Sequence, residues 1–470
     1  MITQAIRSQF IEIVGEEWYK DSTQERYCYS FDATPLFQAM PDAILIPGTV
    51  AEVAAILKVA NHAKIPVITR GSGTNLAGGT VPIHGGIVLL MNRFNKMKEI
   101  DLQNLTVTVE PGVITADLHQ EVEAKNLFYP PDPGSMRVST IGGNLAQCAG
   151  GMRGVKYGVT KDYVLGLQYV LPSGDVLRCG GKNIKDVAGY DMTRLLVGSE
   201  GTLAVITEVI LKLLPLPAYK QTLVAYYDQL IPAAQTVEQI LANRIIPATM
   251  ELLDQSTIKV VDQYAQLGLP QNMKAMLLIE QDGHKEQVKI DMHQIATLAK
   301  RVGAVQVKIA KTADESKKLM MARRVALSAL SRIKPTTILE DATVPRSRIA
   351  EMLSAIEKIS NTYQLTICTF GHAGDGNLHP TCLTDERNKD ELKRVEAAFQ
   401  EIFETAIRLG GTVTGEHGVG IAKQHVLKYQ LGATSYELMK RIKRAFDPNQ
   451  ILNPGKIFTS EHRKRLVVRK

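Results

Sequence analysis

The chain has 470 residues, enough for two or three domains each with its own core. Hydrophobic residues make up 45% and charged residues 22%, a globular balance that argues against intrinsic disorder. The net charge of +7 is mild for this length, and the basic residues are scattered rather than striped with aromatics, which argues against nucleic-acid binding.

In chain order, residues 1–20 carry glutamates and no uninterrupted apolar stretch of signal-peptide length, so no leader is expected. No run of about 18 apolar residues occurs anywhere, so no membrane span is expected either. Residues 43–46 form a short apolar strand stopped by Pro47-Gly48, and Thr49 with Glu52 makes a capping box for the helix that follows. Val53, Ile56, Leu57 and Ala60 recur at helical spacing. Residues 66–69, 87–91 and 106–109 read as strands and 115–125 as a helix. Residues 130–205 are dense in Gly, Pro, Asp and Ser, which predicts many turns and close backbone approaches. A long strand over 203–214 ends at Pro215 and Pro217, where a domain boundary is expected. Beyond it, helices over 233–242 and 346–361 sit between strands over 275–280 and 365–370, the pattern of an α+β domain with a mostly antiparallel sheet. A helix over 436–446 halts at Asp447-Pro448. The basic end, Arg463, Lys464, Arg465, Arg469 and Lys470, reads as a solvated tail or as weak docking to an acidic partner or membrane surface. The cysteines Cys28, Cys148, Cys179, Cys368 and Cys382 are odd in number and lack the spacing of a zinc, redox or iron–sulfur site. They read as reduced thiols of a cytoplasmic protein.

Three glycine-rich elements carry the first chemical signal. RGSGTNLAGG (70–79) directly follows a strand, and its successive N–H groups can form a nest for a pyrophosphate. It is not a G-x-G-x-x-G fingerprint, because Leu76 stands at the third glycine, nor a P-loop. PPDPGS (130–135) leads into STIGGN (139–144), and GSEGTL (198–203) opens the long strand; the last is not a G-x-S-x-G elbow. With RGVKYG (153–158) these stretches resemble, in order, the FAD-linked oxidases whose flavin domain is of the vanillyl-alcohol-oxidase or p-cresol-methylhydroxylase (PCMH) type. The resemblance implies an α+β fold: a two-subdomain flavin domain over 38–218, an α+β substrate domain over 219–415, and a segment 416–458 that returns to the flavin domain. Residues 1–37 precede these and 459–470 follow. It implies FAD contacts from Arg70, Gly71, Ser72, Gly73, Thr74, Asn75, Gly78 and Gly79, and from Pro131, Asp132, Ser135, Thr140, Gly142, Gly143 and Asn144. Gly150, Gly151, Tyr157, Gly158, Glu200, Gly201 and Ile206 complete that set. His84 lies outside the matched stretch, so the flavin is expected to be non-covalent.

GHAGDGNLH (371–379) is the second signal. Two histidines seven residues apart point to opposite faces of an uninterrupted strand, but Gly374, Asp375 and Gly376 allow a turn that brings both imidazoles to one point. Thr414-Gly415-Glu416-His417-Gly418 adds a polar pair framed by glycines. Two histidines and a glutamate suit a catalytic metal with open positions. Oxidation of an α-hydroxy acid needs loss of the hydroxyl proton and hydride transfer from Cα to flavin N5. The expected assignment is therefore His372, His379 and Glu416 to a divalent metal (zinc, manganese or iron) and His417 to the general base.

GHAGDGNLHP, TGEHGVG and FDPNQILNPGKIF narrow the resemblance to the branch holding the FAD-binding subunit of glycolate oxidase, D-lactate dehydrogenase and D-2-hydroxyglutarate dehydrogenase. That branch places an arginine of a W-x-x-R stretch on the substrate carboxylate. Here Met320-Met321-Ala322-Arg323-Arg324 lacks the tryptophan, and the family spacing back from Arg332 points to Arg323, with Arg324 as the alternative. Thr381 stands where D-2-hydroxyglutarate dehydrogenases carry asparagine, which favours glycolate or D-lactate over a dicarboxylate. Expected partners are the hydroxy acid and an electron acceptor such as an iron–sulfur subunit, a quinone or an electron-transfer flavoprotein, within an oligomer and with peripheral membrane contact as an option. The competing readings are a D-2-hydroxyglutarate dehydrogenase, a non-catalytic FAD-binding relay subunit and a metal-dependent hydrolase, and the last leaves the flavin-type loops unexplained.

Overall fold

The computed structural model describes residues 2–459, so the basic end lies outside the described residues. The chain divides into two compact units, one made of the residues up to 149, 159–216 and those from 416 on, the other of 150–158 and 217–415.

The first unit contains two larger sheets besides a two-stranded ladder of Leu127–Phe128 with Leu214–Pro215. In one, β1 (Tyr19–Lys20), β2 (Ala43–Leu45), β3 (Val67–Arg70) and β4 (Ile87–Leu90) lie in the order β1-β2-β4-β3, with β2 and β3 parallel to β4. Parallel pairing requires a crossover, and the helix Val50–Ala63 supplies it between β2 and β3. Thr49 accepts from the Glu52 N–H and the Glu52 carboxylate takes the Gly48 N–H, which together start that helix. Its buried stripe of Val53, Ile56, Leu57 and Ala60 joins Phe10, Ile87, Leu89 and the C-terminal Ile451 and Leu452 in one core. Each such large side chain taken from water contributes about 1.5–3 kcal/mol. The second sheet is wholly antiparallel: β5 (Met97–Asp101), β6 (Thr106–Val109), β7 (Val164–Val170), β8 (Val176–Gly180) and β9 (Val205–Lys212), in the order β5-β6-β9-β7-β8.

The C-terminal segment belongs to this unit through specific bonds. Val67 N–H donates to Ile451 C=O at 2.7 Å, and Asn453 N–H returns to Val67 C=O at 2.8 Å. Buried Lys443 donates to the carbonyls of Thr202 and Leu452 and to Asp447, whose carboxylate also accepts the Ile451 and Leu452 N–H groups. The helix expected over 436–446 is the end of a longer one, Gln424–Phe446, kinked at Gly432 where φ is 75°.

The second unit carries one antiparallel sheet. Its strands are β10 (Tyr219–Tyr227), β11 (Thr249–Asp254), β12 (Ala275–Gly283), β13 (Gln306–Ile309), β14 (Thr336–Leu339), β15 (Ala342–Thr343), β16 (Thr366–His372) and β17 (Asn377–Thr384). They run β13-β10-β12-β11-β16-β17-β14, with β15 also on β17, and every pairing is antiparallel. The helix expected over 346–361 begins as a short 3-10 turn, Arg346–Arg348, after Pro345 and continues as Ile349–Tyr363. A first unit with one mixed and one antiparallel sheet, an antiparallel second unit and a returning C-terminal segment make up the architecture.

Candidate active site

In the first unit, β3 runs directly into the glycine loop. Gly73 and Gly78 both adopt φ of 72°, a left-handed backbone that side chains disfavour. A Cβ on Gly71 would stand 2.2 Å from the Thr140 hydroxyl, so glycine there lets the second element close on the first. Asn75 Oδ1 accepts from Gly79 N–H at 2.8 Å and curls the loop back on itself, while Ser72 Oγ donates to Val138 C=O at 2.5 Å. Thr140 accepts from Gly143 N–H to start the helix Ile141–Gln147, and Asn144 donates to Thr115 Oγ1. His119 Nε2 lies 2.9 Å from Pro131 C=O and fixes the segment that contains Asp132, itself buried. A loop of left-handed glycines held in shape by side-chain hydrogen bonds suits a phosphate-bearing cofactor. The Arg70 guanidinium points inward instead, donating to Phe31 C=O at 2.7 Å; it shapes the loop.

Glu200 has a positive φ of 54°, between Gly198 and Gly201, which are also left-handed. Its buried carboxylate accepts from Val419 and Gly420 N–H, both at 2.7 Å. Burial pushes this carboxyl above the ordinary range even though the two N–H groups pull it down. The effect is to hold the backbone just after Glu416-His417-Gly418. Asn453 reinforces the place by donating to Gly79 C=O and Glu200 C=O. Ile206 lies on β9 opposite Tyr169.

In the second unit, β16 and β17 form the hairpin that the GHAGDGNLH spacing allows. Gly376 turns with φ of 87°, and His372 pairs with Asn377 while Phe370 pairs with His379. His372 and His379 become diagonal neighbours on one face, ring centroids 5.0 Å apart and nearly perpendicular. Both are buried. Each has an acid behind it. His372 Nδ1 lies 2.7 Å from Glu251 Oε1, and Glu251 stands directly opposite His372 on β11. His379 Nδ1 lies 3.2 Å from Asp341 Oδ1. Asp341 Oδ2 also accepts from Thr414 Oγ1 at 2.9 Å and from Gly415 N–H at 3.1 Å, immediately before Glu416 in the chain. The Glu251 carboxylate on His372 Nδ1 is the usual support of a metal-ligating histidine, so this histidine pair suits a divalent ion.

Arg323 ends the helix Ala313–Arg324 and donates through Nε to Glu251 Oε2 at 2.5 Å, its guanidinium lying 4.6 Å over the Phe370 ring. Arg324, one residue on, is exposed. Burial raises the Glu251 carboxyl, but His372 and Arg323 together outweigh it and hold it below the usual range. The segment 150–158 counts with this unit, and the Tyr157 hydroxyl donates to the Asp282 carboxylate at 2.9 Å, beside Lys156 on the same acid. Gly151 and Gly158 bracket the segment with positive φ. Glu416 and His417, by contrast, count with the first unit.

Residues 41–180 match the FAD binding domain, and residues 216–457 match the C-terminal domain of FAD linked oxidases. The glycolate oxidase subunit GlcD of Bacillus subtilis (strain 168) is 57% identical over 467 residues, covering 99% of both chains. The chain belongs to the FAD-linked oxidases. This FAD-linked oxidase is also 35% identical to the D-lactate dehydrogenase of Anaerostipes hadrus, over 95% of this chain and 94% of that one. Its fold matches substrate-bound p-cresol methylhydroxylase with a TM-score of 0.81 at 18% identity, covering 97% of this chain and 98% of that one. It is an FAD-binding oxidoreductase, and no helix among its described residues is long and apolar enough to cross a membrane.

Glu251 and Asp341 are absent from the sequence reading of this oxidase. A signal for them exists: each is an acid inside or beside an apolar strand run, Met250-Glu251-Leu252-Leu253 and Leu339-Glu340-Asp341-Ala342, and an acid buried there must be paired.

Proposed function

We propose that this oxidase converts glycolate or D-lactate to the 2-oxo acid and passes the electrons from FAD to a separate acceptor, such as an iron–sulfur subunit, quinone or electron-transfer flavoprotein. The observation that carries the reading is Arg323 and His372 joined on one buried carboxylate, which sets a guanidinium beside an imidazole pair. The names of the relatives, a glycolate oxidase subunit and a D-lactate dehydrogenase, point the same way. Arg323 receives the substrate carboxylate on its terminal nitrogens, since Nε is taken by Glu251. His417 takes the hydroxyl proton, and Glu200 steadies its backbone from two residues downstream. His372, His379 and Glu416 would hold a divalent ion, which would polarise the substrate hydroxyl. The glycine loops would hold FAD, which would supply the hydride acceptor. Thr381 is fully buried and its hydroxyl donates to His379 C=O, so no side-chain amide is offered there to a second carboxylate. That supports a small acid over 2-hydroxyglutarate.

Anaerobic mixing with a panel of hydroxy acids tests this. Glycolate and D-lactate should bleach the flavin absorbance, L-lactate should not, and a chelator should prevent bleaching until zinc or manganese returns. A yellow protein that no member of the panel bleaches is a relay subunit instead.

A further inference from the structure

Glu251 is placed where a carboxylate is hardest to keep. It lies on β11, flanked by β12 and β16, with no solvent exposure, and a lone charge there is strongly disfavoured. Both its oxygens are committed: Oε1 to His372 Nδ1 at 2.7 Å and Oε2 to Arg323 Nε at 2.5 Å. An ionised carboxylate only accepts, so the facing imidazole nitrogen must carry its hydrogen. A neutral His372 is thereby the Nδ1–H tautomer, with the lone pair on Nε2. Phe370, two residues before His372 on the same strand, lies under the guanidinium and sets its plane. One side chain thus determines the tautomer of a metal-ligand histidine and the orientation of the carboxylate-binding arginine.

We infer that Glu251 is a positioning residue that couples the two halves of the substrate site, the metal imidazole and the carboxylate clamp, so that neither is set independently of the other. The inference rests on the roles proposed above for His372 and Arg323. An amide at 251 has one acceptor and one donor, so it can serve only one partner as the carboxylate does. With its oxygen on Arg323, its NH2 meets His372 and favours the Nε2–H tautomer, which cannot ligate. With its oxygen on His372, as zinc ligation requires, its NH2 opposes the Arg323 Nε–H and displaces the guanidinium, so zinc binds the variant only at the expense of the clamp and both affinities fall.

The test uses the FAD-loaded full chain. Zinc affinity is measured by titration against a competing chelator, and the D-lactate concentration for half-maximal anaerobic flavin reduction is measured at saturating zinc. Glu251→Gln should keep its FAD spectrum, bind zinc roughly ten- to hundredfold more weakly, and need roughly tenfold more D-lactate. A change in only one of these, or in neither, overturns the coupling. His372→Ala and Arg323→Ala separate this from failure of the underlying roles. If those two variants lose zinc and substrate affinity respectively while Glu251→Gln loses neither, only the inference falls. If His372→Ala leaves zinc affinity unchanged, the proposed site itself falls. Should Glu251→Gln not fold, the 15N spectrum of histidine-labelled native protein decides: Nδ1–H at His372 supports the inference, Nε2–H overturns it.

Discussion

Two adjacent arginines end the helix Ala313–Arg324, and they have opposite surroundings: Arg323 meets Glu251 while Arg324 is exposed. Spacing in the sequence leaves both open, because a helix turns by about 100° per residue and the tryptophan that would mark the register is missing. Burial of the partner acid separates them. Arg323→Ala should raise the half-saturating hydroxy acid at least tenfold and, by leaving Glu251 buried beside a single partner, cost about 3–5 kcal/mol of stability. Arg324→Ala should stay within about 0.5 kcal/mol and leave flavin reduction unchanged. Denaturant unfolding and anaerobic stopped-flow absorbance check the pair. Glu200 shows the same gap between motif and contact. The GSEGT motif is plain in the sequence, yet the carboxylate bonds Val419 and Gly420 N–H, a pairing no local pattern could reveal across more than two hundred positions. Glu200→Gln turns a donor toward one of those N–H groups. FAD should remain bound while flavin reduction by glycolate slows by about ten- to a hundredfold, as expected of a small misplacement of His417.

The β16–β17 hairpin is the element most legible in the sequence, because glycines between two histidines leave few ways to close a turn. Its partner strands are not legible there. β11 meets β16 from more than a hundred residues away, and only the fold brings Glu251 opposite His372. The kinked helix Gln424–Phe446 shows only its last half in the sequence pattern, since Gly432 breaks the apolar repeat that would extend it. The hairpin supplies a controlled experiment. Gly376 and Gly268 both adopt positive φ in the second unit, but a Cβ on Gly376 would meet Val344 C=O at 2.1 Å, whereas nothing lies within 4 Å of one on Gly268. Gly268→Ala should cost only the backbone strain, about 1 kcal/mol. Gly376→Ala should cost several kcal/mol more and weaken zinc binding, because the turn must shift and draw His372 away from His379. Thermal unfolding and chelator titration of both variants distinguish strain from displacement.

At the scale of the whole molecule, a carboxyl raised on folding makes stability depend on pH in a direction opposite to the common one. Asp254, at the end of β11, is half-buried; burial, with Glu357 adding repulsion, lifts its carboxyl to about 6, although the Thr257 and Thr369 N–H groups bond it. The thiol of Cys368 also faces it and is itself pushed up, first by burial and then by this acid. Most native carboxylates are depressed by their partners and destabilise the fold when acid protonates them. Here the folded value lies above the ordinary 3.8, so between about pH 4 and pH 6 the folded state binds the proton more tightly than the unfolded chain does. The contribution of Asp254 is therefore complete below pH 4 and is lost as the pH rises through 6. Two pKa units correspond to about 3 kcal/mol. Asp254→Asn cannot titrate. It carries a fixed cost, because its NH2 opposes one of the two backbone N–H groups, but that cost does not vary with pH. The unfolding free energy of the native chain minus that of the variant should consequently fall by about 2 kcal/mol from pH 4 to pH 6.5 and then level off. A difference that stays flat, or that rises over this window, would mean that the two backbone donors outweigh burial at Asp254 and keep the group ionised throughout.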